Sequence, residues 1–281
     1  GAGLESGTGT DSMQSAASLT TVAADANKTD SIALGNGAIA TTTITGTATP
    51  TGDIAIGSGA TISPFSTSNF YGGGSIVIGE NASFCGTSEI SSGGGNGVVI
   101  GKSASVSSRF DDSTIAIGWN SCGVNEAVSL GKSACANNGV AIGDGALSFG
   151  GNAIGKSSRA CSTGGIAIGE RACALVGGFP SSSMAIGNRS KACALGSVTL
   201  GIYACAVSVD SMAMGFCACS CAVEAIALGA NITANKASTV SVKELETQVA
   251  GGGVILTTPD GLNQYKITVD NSGTLVSTII V

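Results

Sequence analysis

One short phrase, apolar-Ala-apolar-Gly, recurs thirteen times between residues 32 and 229 and constrains this chain more than any other feature. It reads Ile32-Ala33-Leu34-Gly35, Ile54-Ala55-Ile56-Gly57, Ile76-Val77-Ile78-Gly79 and Val98-Val99-Ile100-Gly101 in the first part. It continues as Ile115-Ala116-Ile117-Gly118, Val128-Ser129-Leu130-Gly131, Val140-Ala141-Ile142-Gly143 and Asn152-Ala153-Ile154-Gly155. The last five are Ile166-Ala167-Ile168-Gly169, Met184-Ala185-Ile186-Gly187, Val198-Thr199-Leu200-Gly201, Met212-Ala213-Met214-Gly215 and Ile226-Ala227-Leu228-Gly229. Successive glycines are 22, 22, 22, 17, 13, 12, 12, 14, 18, 14, 14 and 14 residues apart. A base period of about 14 is that of stacked coils, each touching only its neighbours.

Within a coil the side chains alternate, as in a strand. The positions three and one before the glycine are Ile, Val, Leu or Met in nearly every copy, which predicts a buried face. Glycine then permits a tight turn. Small residues follow three and five positions later, as in Ala134 and Ala136, Ala172 and Ala174, or Ala204 and Ala206. They predict a second short strand with a thin inner face. Stacked at ~4.8 Å, thirteen coils make a roll about 60 Å long. A roll lined by Ala and Ser is thin, which predicts that rolls pack against one another in a symmetric oligomer.

The phrase Ser31-Ile-Ala-Leu-Gly-Asn-Gly-Ala38, repeated over 31–242, resembles the head of trimeric autotransporter adhesins. The resemblance implies an all-β, left-handed parallel β-roll solenoid, assembled as a homotrimer with an attachment role. Ser238-Thr-Val-Ser-Val242 resembles the opening strand of the neck of that family. Residues 243–281 then depart from it, with neither a heptad pattern nor a membrane-anchor pattern. Tyr265–Val269 alternates as a strand, Asp270-Asn-Ser-Gly273 reads as a turn and 274–281 as a returning strand. Pro259-Asp260-Gly261 is a second turn. This tail is similar to the C-terminal ends of bacteriophage tail-fibre proteins. Three segments result: 1–30 as an attachment or irregular segment, 31–242 as the roll, and 243–281 as a small β segment.

The resemblances together imply a homotrimeric bacteriophage fibre, located on the virion and outside the cell, that attaches to a host cell surface. The expected partners are two further copies of the chain, other virion structural proteins and a host receptor, polysaccharides included. The alternatives are the head of a bacterial surface adhesin, displayed on the bacterial cell surface, and a purely architectural virion decoration.

Composition narrows the chemistry. The chain has no histidine, which excludes Ser-His-Asp and Cys-His catalysis and His-bearing metal sites. Its acids form no repeated pair, and Asp111-Asp112 is the one doublet of the roll. No enzymatic activity, cofactor or metal is therefore expected. A formal net charge of −6 argues against nucleic acid as a partner. The apolar stretch 211–232 carries one charge, Glu224, but it belongs to the repeat, so no membrane insertion is expected. Residues 1–30 show no basic start followed by an apolar run.

Two sets of residues are candidates for contact with a receptor. The long intervals carry excursions at 42–52, 63–74, 86–96 and 107–113, and Phe65, Phe70, Tyr71 and Phe110 lie in them. Such insertions collect on one surface of a solenoid. The residue after each repeat glycine is usually polar, but Trp119, Ile202 and Phe216 break the row, with Tyr203 beside them. Aromatic faces suit sugar C–H surfaces, and aromatics are equally enriched where chains pack together. The ten cysteines also follow the repeat. Cys122, Cys135, Cys173, Cys205 and Cys219 lie four residues after the glycine, Cys85, Cys161, Cys193 and Cys221 six after, and Cys217 two after. They face away from the alanines, either as small apolar columns or as disulfides between coils or chains.

Overall fold

The computed structural model describes residues 4–6, 13–15, 25–26, 31–40, 43–44, 52–63, 65–66, 74–88, 96–108, 113–175, 182–246, 253–259 and 262–280. They are all strand and turn, and none of them is helical. The chain divides at residue 241/242 into a solenoid and a small C-terminal unit.

The solenoid is two sheets that share its coils and are parallel throughout except at the start of the first, where Leu4–Ser6 pairs antiparallel with Met13–Ser15. Each repeat phrase supplies one strand of the first sheet, from Ile32–Leu34 to Ile226–Leu228, and Val240–Val242 ends it. The second sheet runs from Asp25–Ala26 and Ile39–Ala40 to Cys219–Ser220 and Thr233–Ala234. Neighbouring coils pair in register, Ile115↔Val128 and Ala116↔Ser129 for example, so each repeat position becomes a column. Part of 1–30 joins this frame: Met13–Ser15 pairs parallel with Ile32–Leu34, and Asp25–Ala26 with Ile39–Ala40. The first excursions begin as a third ladder, in which Thr43–Ile44 and Ser83–Ser88 flank Phe65–Ser66.

The turns follow from local chemistry. In the coil of Gly143, the Ala146 N–H donates to the Gly143 carbonyl at 3.3 Å, closing a four-residue turn. The third residue of such turns takes a positive φ, as type II turns require. Asn81 and Asn120 accept it readily, whereas Arg171, Arg189, Tyr203 and Cys217 hold it, at φ 51–59, against their own preference. The repeat glycines take φ of 124–146, which only glycine adopts freely.

The core overturns one expectation. Ile, Val, Leu and Met of the repeat phrase do not fill the interior of the chain. The residue between them does: Ala33, Ala55, Ala116, Ala141, Ala153, Ala167, Ala185, Ala213 and Ala227 are wholly buried. The small residue before the phrase, such as Ser31, Asp53, Ser75 or Thr114, points inward with them. Ile117 and Ile168, by contrast, keep 37% of their surface exposed, and Leu200 and Leu228 keep 46%. In most coils alanine or another small residue fills the space between the sheets, and the wholly buried larger apolar side chains, Ile62, Val77, Phe84, Val99 and Val106, lie in the early coils that carry the long excursions. The alanines three and five after the glycine are inside, as expected. The largest of the buried side chains has a bare neighbour: the Phe84 ring occupies the space that a Cβ on Gly97 would take.

The C-terminal unit is an antiparallel meander of Val254–Thr257, Gln264–Val269 and Leu275–Ile279. The expected hairpin is there, and the strand Val254–Thr257, which the sequence reading did not single out, completes it. The Pro259 turn runs into 260–261, outside the described residues. Asp270 holds the hairpin turn: its Oδ1 accepts from the Ser272 and Thr274 N–H groups, both at 2.9 Å, and from the Ser272 hydroxyl at 2.6 Å. The Ser272 hydroxyl first, then the Thr274 N–H, lowers the pKa of this carboxyl. A depressed carboxylate pKa stabilises the fold above the unfolded-state value, and the gain is lost as pH falls through the folded value. An NMR titration of Asp270 is therefore expected to find a midpoint below that of an unstructured Asp. A midpoint equal to that of Asp270 in the isolated peptide 268–276 would refute the turn assignment.

Candidate functional site

Of the excursion aromatics, Phe70, Tyr71 and Phe110 lie outside the described residues. Phe65 is described in its backbone alone, on the third ladder. The turn-row candidates are all exposed: Trp119, Ile202, Tyr203 and Phe216 keep 46–53% of their surface. In-register stacking separates them into two places. The turn of Ile202 and Tyr203 stacks on the turn of Phe216 in the next coil, where the Cys217 N–H donates to the Ile202 carbonyl at 2.9 Å. The Tyr203 and Phe216 rings meet edge to face, with centroids 6.5 Å apart. Arg189, one coil earlier, donates from Nη1 to the Tyr203 hydroxyl at 2.6 Å, and its guanidinium lies 5.4 Å from the ring centroid. Trp119 stands apart in an earlier coil, with the Lys132 ammonium 4.7 Å from its ring centroid.

Sequence reasoning missed the two cations. The signal was available: Arg189 has the same offset from its glycine as Tyr203, and Lys132 the same as Trp119. The result is an exposed apolar patch, Ile202-Tyr203-Phe216, with its two rings edge to face and a guanidinium at its rim. Cation–π contacts hold such rings in place without burying them. Tyr203 is a bulky residue at φ 59, a backbone cost of about 1 kcal/mol or more that asparagine or glycine would avoid.

Cys85, Cys122, Cys135, Cys173, Cys205 and Cys219 stand on strands of the second sheet, Cys217 lies in a turn, and all ten cysteines are partly or largely exposed and free of disulfides. Register brings Cys122 beside Cys135, and Cys205 beside Cys219. Cys173 is separated from these by Arg159 on one side and Lys191 on the other. Cys219 Sγ also lies 3.1 Å from Cys221 Sγ. Burial pushes the Cys161, Cys173 and Cys205 thiols up, and burial together with Cys221 pushes Cys219 up to about 12. Cys122 goes the other way, to about 6, because the Cys135 thiol and the Ser105 hydroxyl donate to its sulfur. Among the described residues no group of three or more Cys, Asp and Glu side chains is placed to share a metal ion.

In the turn row Lys102 Nζ pairs with Glu80 Oε2 of the preceding coil at 2.9 Å. Among the described residues no helix is long and apolar enough to cross a membrane. No protein-family model matches this chain, and no curated protein matches it in sequence.

Proposed function

We propose that this chain forms a left-handed β-roll in a homotrimeric fibre of a bacteriophage particle, and that the fibre attaches the particle to its host cell. The observation that carries the reading is the outer face of the first sheet. A ladder of Ile, Val, Leu and Met runs the length of the roll, interrupted at Asn152; its members are partly open to water, and Ile78, Ile117, Ile154, Ile168, Leu200 and Leu228 keep 36–46% of their surface exposed. An apolar stripe of this length is more than a solvated monomer usually presents. Two further copies covering it would complete the burial that the alanine core leaves short. The fibre reading adds the resemblance of the C-terminal segment to tail-fibre ends. Attachment rests on the exposed Ile202-Tyr203-Phe216 patch and its strained tyrosine, which fit a polysaccharide face.

Light scattering tests the assembly. The expected particle has three times the 27.0 kDa chain mass, and a 27.0 kDa particle would overturn the trimer. Ile168→Glu with Leu200→Glu is expected to give monomers that keep the β-sheet circular dichroism spectrum, since neither side chain is in the core of the chain. Attachment is tested with immobilised lipopolysaccharide and capsular polysaccharide. Tyr203→Gly relieves backbone strain, so it is expected to weaken binding about tenfold without loss of stability. Binding unchanged in both Tyr203→Gly and Phe216→Ser would remove the patch from the attachment role.

A further inference from the structure

We infer that Cys122 and Cys135 form a redox-active dithiol, which exchange with a small disulfide such as oxidised glutathione closes into a bridge between adjacent coils. The two residues are direct partners on the parallel strands Cys122–Val124 and Cys135–Asn137. Adjacent strands stand ~4.8 Å apart, inside the Cα range of about 4.4–6.8 Å that a disulfide spans. Both side chains are on the outer face of the sheet, half-buried, so a small reagent reaches them.

The flanking residues differentiate the two sulfurs. Cys122 sits between Ser105 and Cys135, and Cys135 between Cys122 and Leu147. A thiolate on Cys122 therefore accepts from a hydroxyl on one side and a thiol on the other. A thiolate on Cys135 would have leucine on its far side and Cys122 as its sole neighbouring donor. The negative charge belongs on Cys122, and Cys135 keeps its proton. This is the division of labour that thiol–disulfide exchange needs: one ready nucleophile and one resolving thiol. Cys219 also has a cysteine, Cys205, and a hydroxyl-bearing residue, Thr233, on its two sides, but its sulfur lies 3.1 Å from Cys221 Sγ, and burial with that neighbour holds its proton on.

The chemistry balances without another reagent. The Cys122 thiolate attacks one sulfur of the small disulfide and displaces its other half as a thiolate. That leaving thiolate takes the Cys135 proton, directly or through water. The Cys135 thiolate then attacks the Cys122 sulfur of the mixed disulfide and releases the second small thiolate, which solvent protonates. Two protein thiols are oxidised to one disulfide, and one small disulfide is reduced to two thiols. The inference does not depend on the fibre reading, because it uses the roll of a single chain.

The full chain, native and reduced, is incubated with oxidised glutathione, quenched by alkylation, digested and mapped by mass spectrometry. A Cys122–Cys135 cross-link is expected to accumulate ahead of any other. The Cys135→Ser variant is expected to stop at a mixed disulfide between Cys122 and glutathione. Cys122→Ser is expected to slow modification of Cys135 by about tenfold or more. The wild-type measurement needs no substitution, so a folding defect cannot mask the answer. The inference is overturned if Cys122 and Cys135 stay free while other cysteines react, or if each carries its own glutathione with no cross-link.

Discussion

Replacing Gly143 with alanine is expected to cost about 3 kcal/mol or more and to open the roll locally around its turn. Two effects add. Gly143 has φ 129, a conformation that L-residues rarely adopt. A Cβ there would also lie 2.6 Å from the Gly155 carbonyl oxygen and 2.7 Å from its carbon. Both are backbone atoms of the next coil, so no side-chain rotation relieves the overlap. Gly229 separates the two effects. Its φ is 124, but a Cβ there meets only Ile232 Cγ1, at 3.4 Å. Gly229→Ala should therefore show the backbone strain alone, about 1–3 kcal/mol. Thermal unfolding of the two variants measures the difference. Hydrogen exchange at Gly131 and Gly155 locates the damage, since their amides bond across neighbouring coils to Ile117 and Ile142. Equal losses in the two variants would show that the stacking contact between glycines contributes nothing.

Ala167→Leu is expected to destabilise by about 3 kcal/mol, at the upper end for an overpacked core. Ala167 lies wholly buried in a cluster made entirely of alanines: Ala153, Ala160, Ala172, Ala174, Ala185 and Ala192. Leucine adds three carbons where the sheets are held together by turns of fixed length. The N-terminal coils show what tolerance requires: Phe84 is accommodated because Gly97 faces it. At Ala167 the corresponding glycine, Gly165, gives no room, since Ser162 closes that space with its hydroxyl 2.5 Å from where a Cβ would stand. Solenoid coils couple mainly to their neighbours, so unfolding should become multiphasic, with the central coils melting first. A single transition at the unaltered temperature would mean that the interior is wider than its alanines imply. The outward substitution Ala222→Leu, at a partly exposed turn position packed against its cluster, is expected to cost less than 1 kcal/mol.

Much of the fold was legible in the sequence. The thirteen glycines marked the turns, the alanines at three and five residues after them marked the inside of the second strand, and the cysteine offsets placed the thiols outside. The Tyr265–Val269 hairpin with its Asp270 turn was equally plain. The exposed aromatics were found as interruptions of a polar row, but Arg189 and Lys132 were not. Their shared offsets place them in one column with the rings, but that a cation lies over a ring comes from side chains of successive coils meeting, which the offsets alone do not show. The thiol pairs were likewise partial. Offset alone put five cysteines in one column, and only the pairing showed Arg159 and Lys191 interrupting it.

What the sequence by itself determined is where each coil bends, because a backbone at φ near 130 in contact with the next coil admits only glycine. What it could not decide is which side of the repeat strand faces inward. Ile-Ala-Ile alternates equally well in either sense, and hydrophobicity favours the isoleucines inside. Tertiary structure decides for alanine in most coils, because two sheets joined by short turns leave a gap that a methyl group fills; the larger apolar side chains that are wholly buried, Ile62, Val77, Phe84, Val99 and Val106, lie in the early coils that carry the long excursions. The same constraint puts the isoleucines on the outer face, where a single chain leaves them half covered.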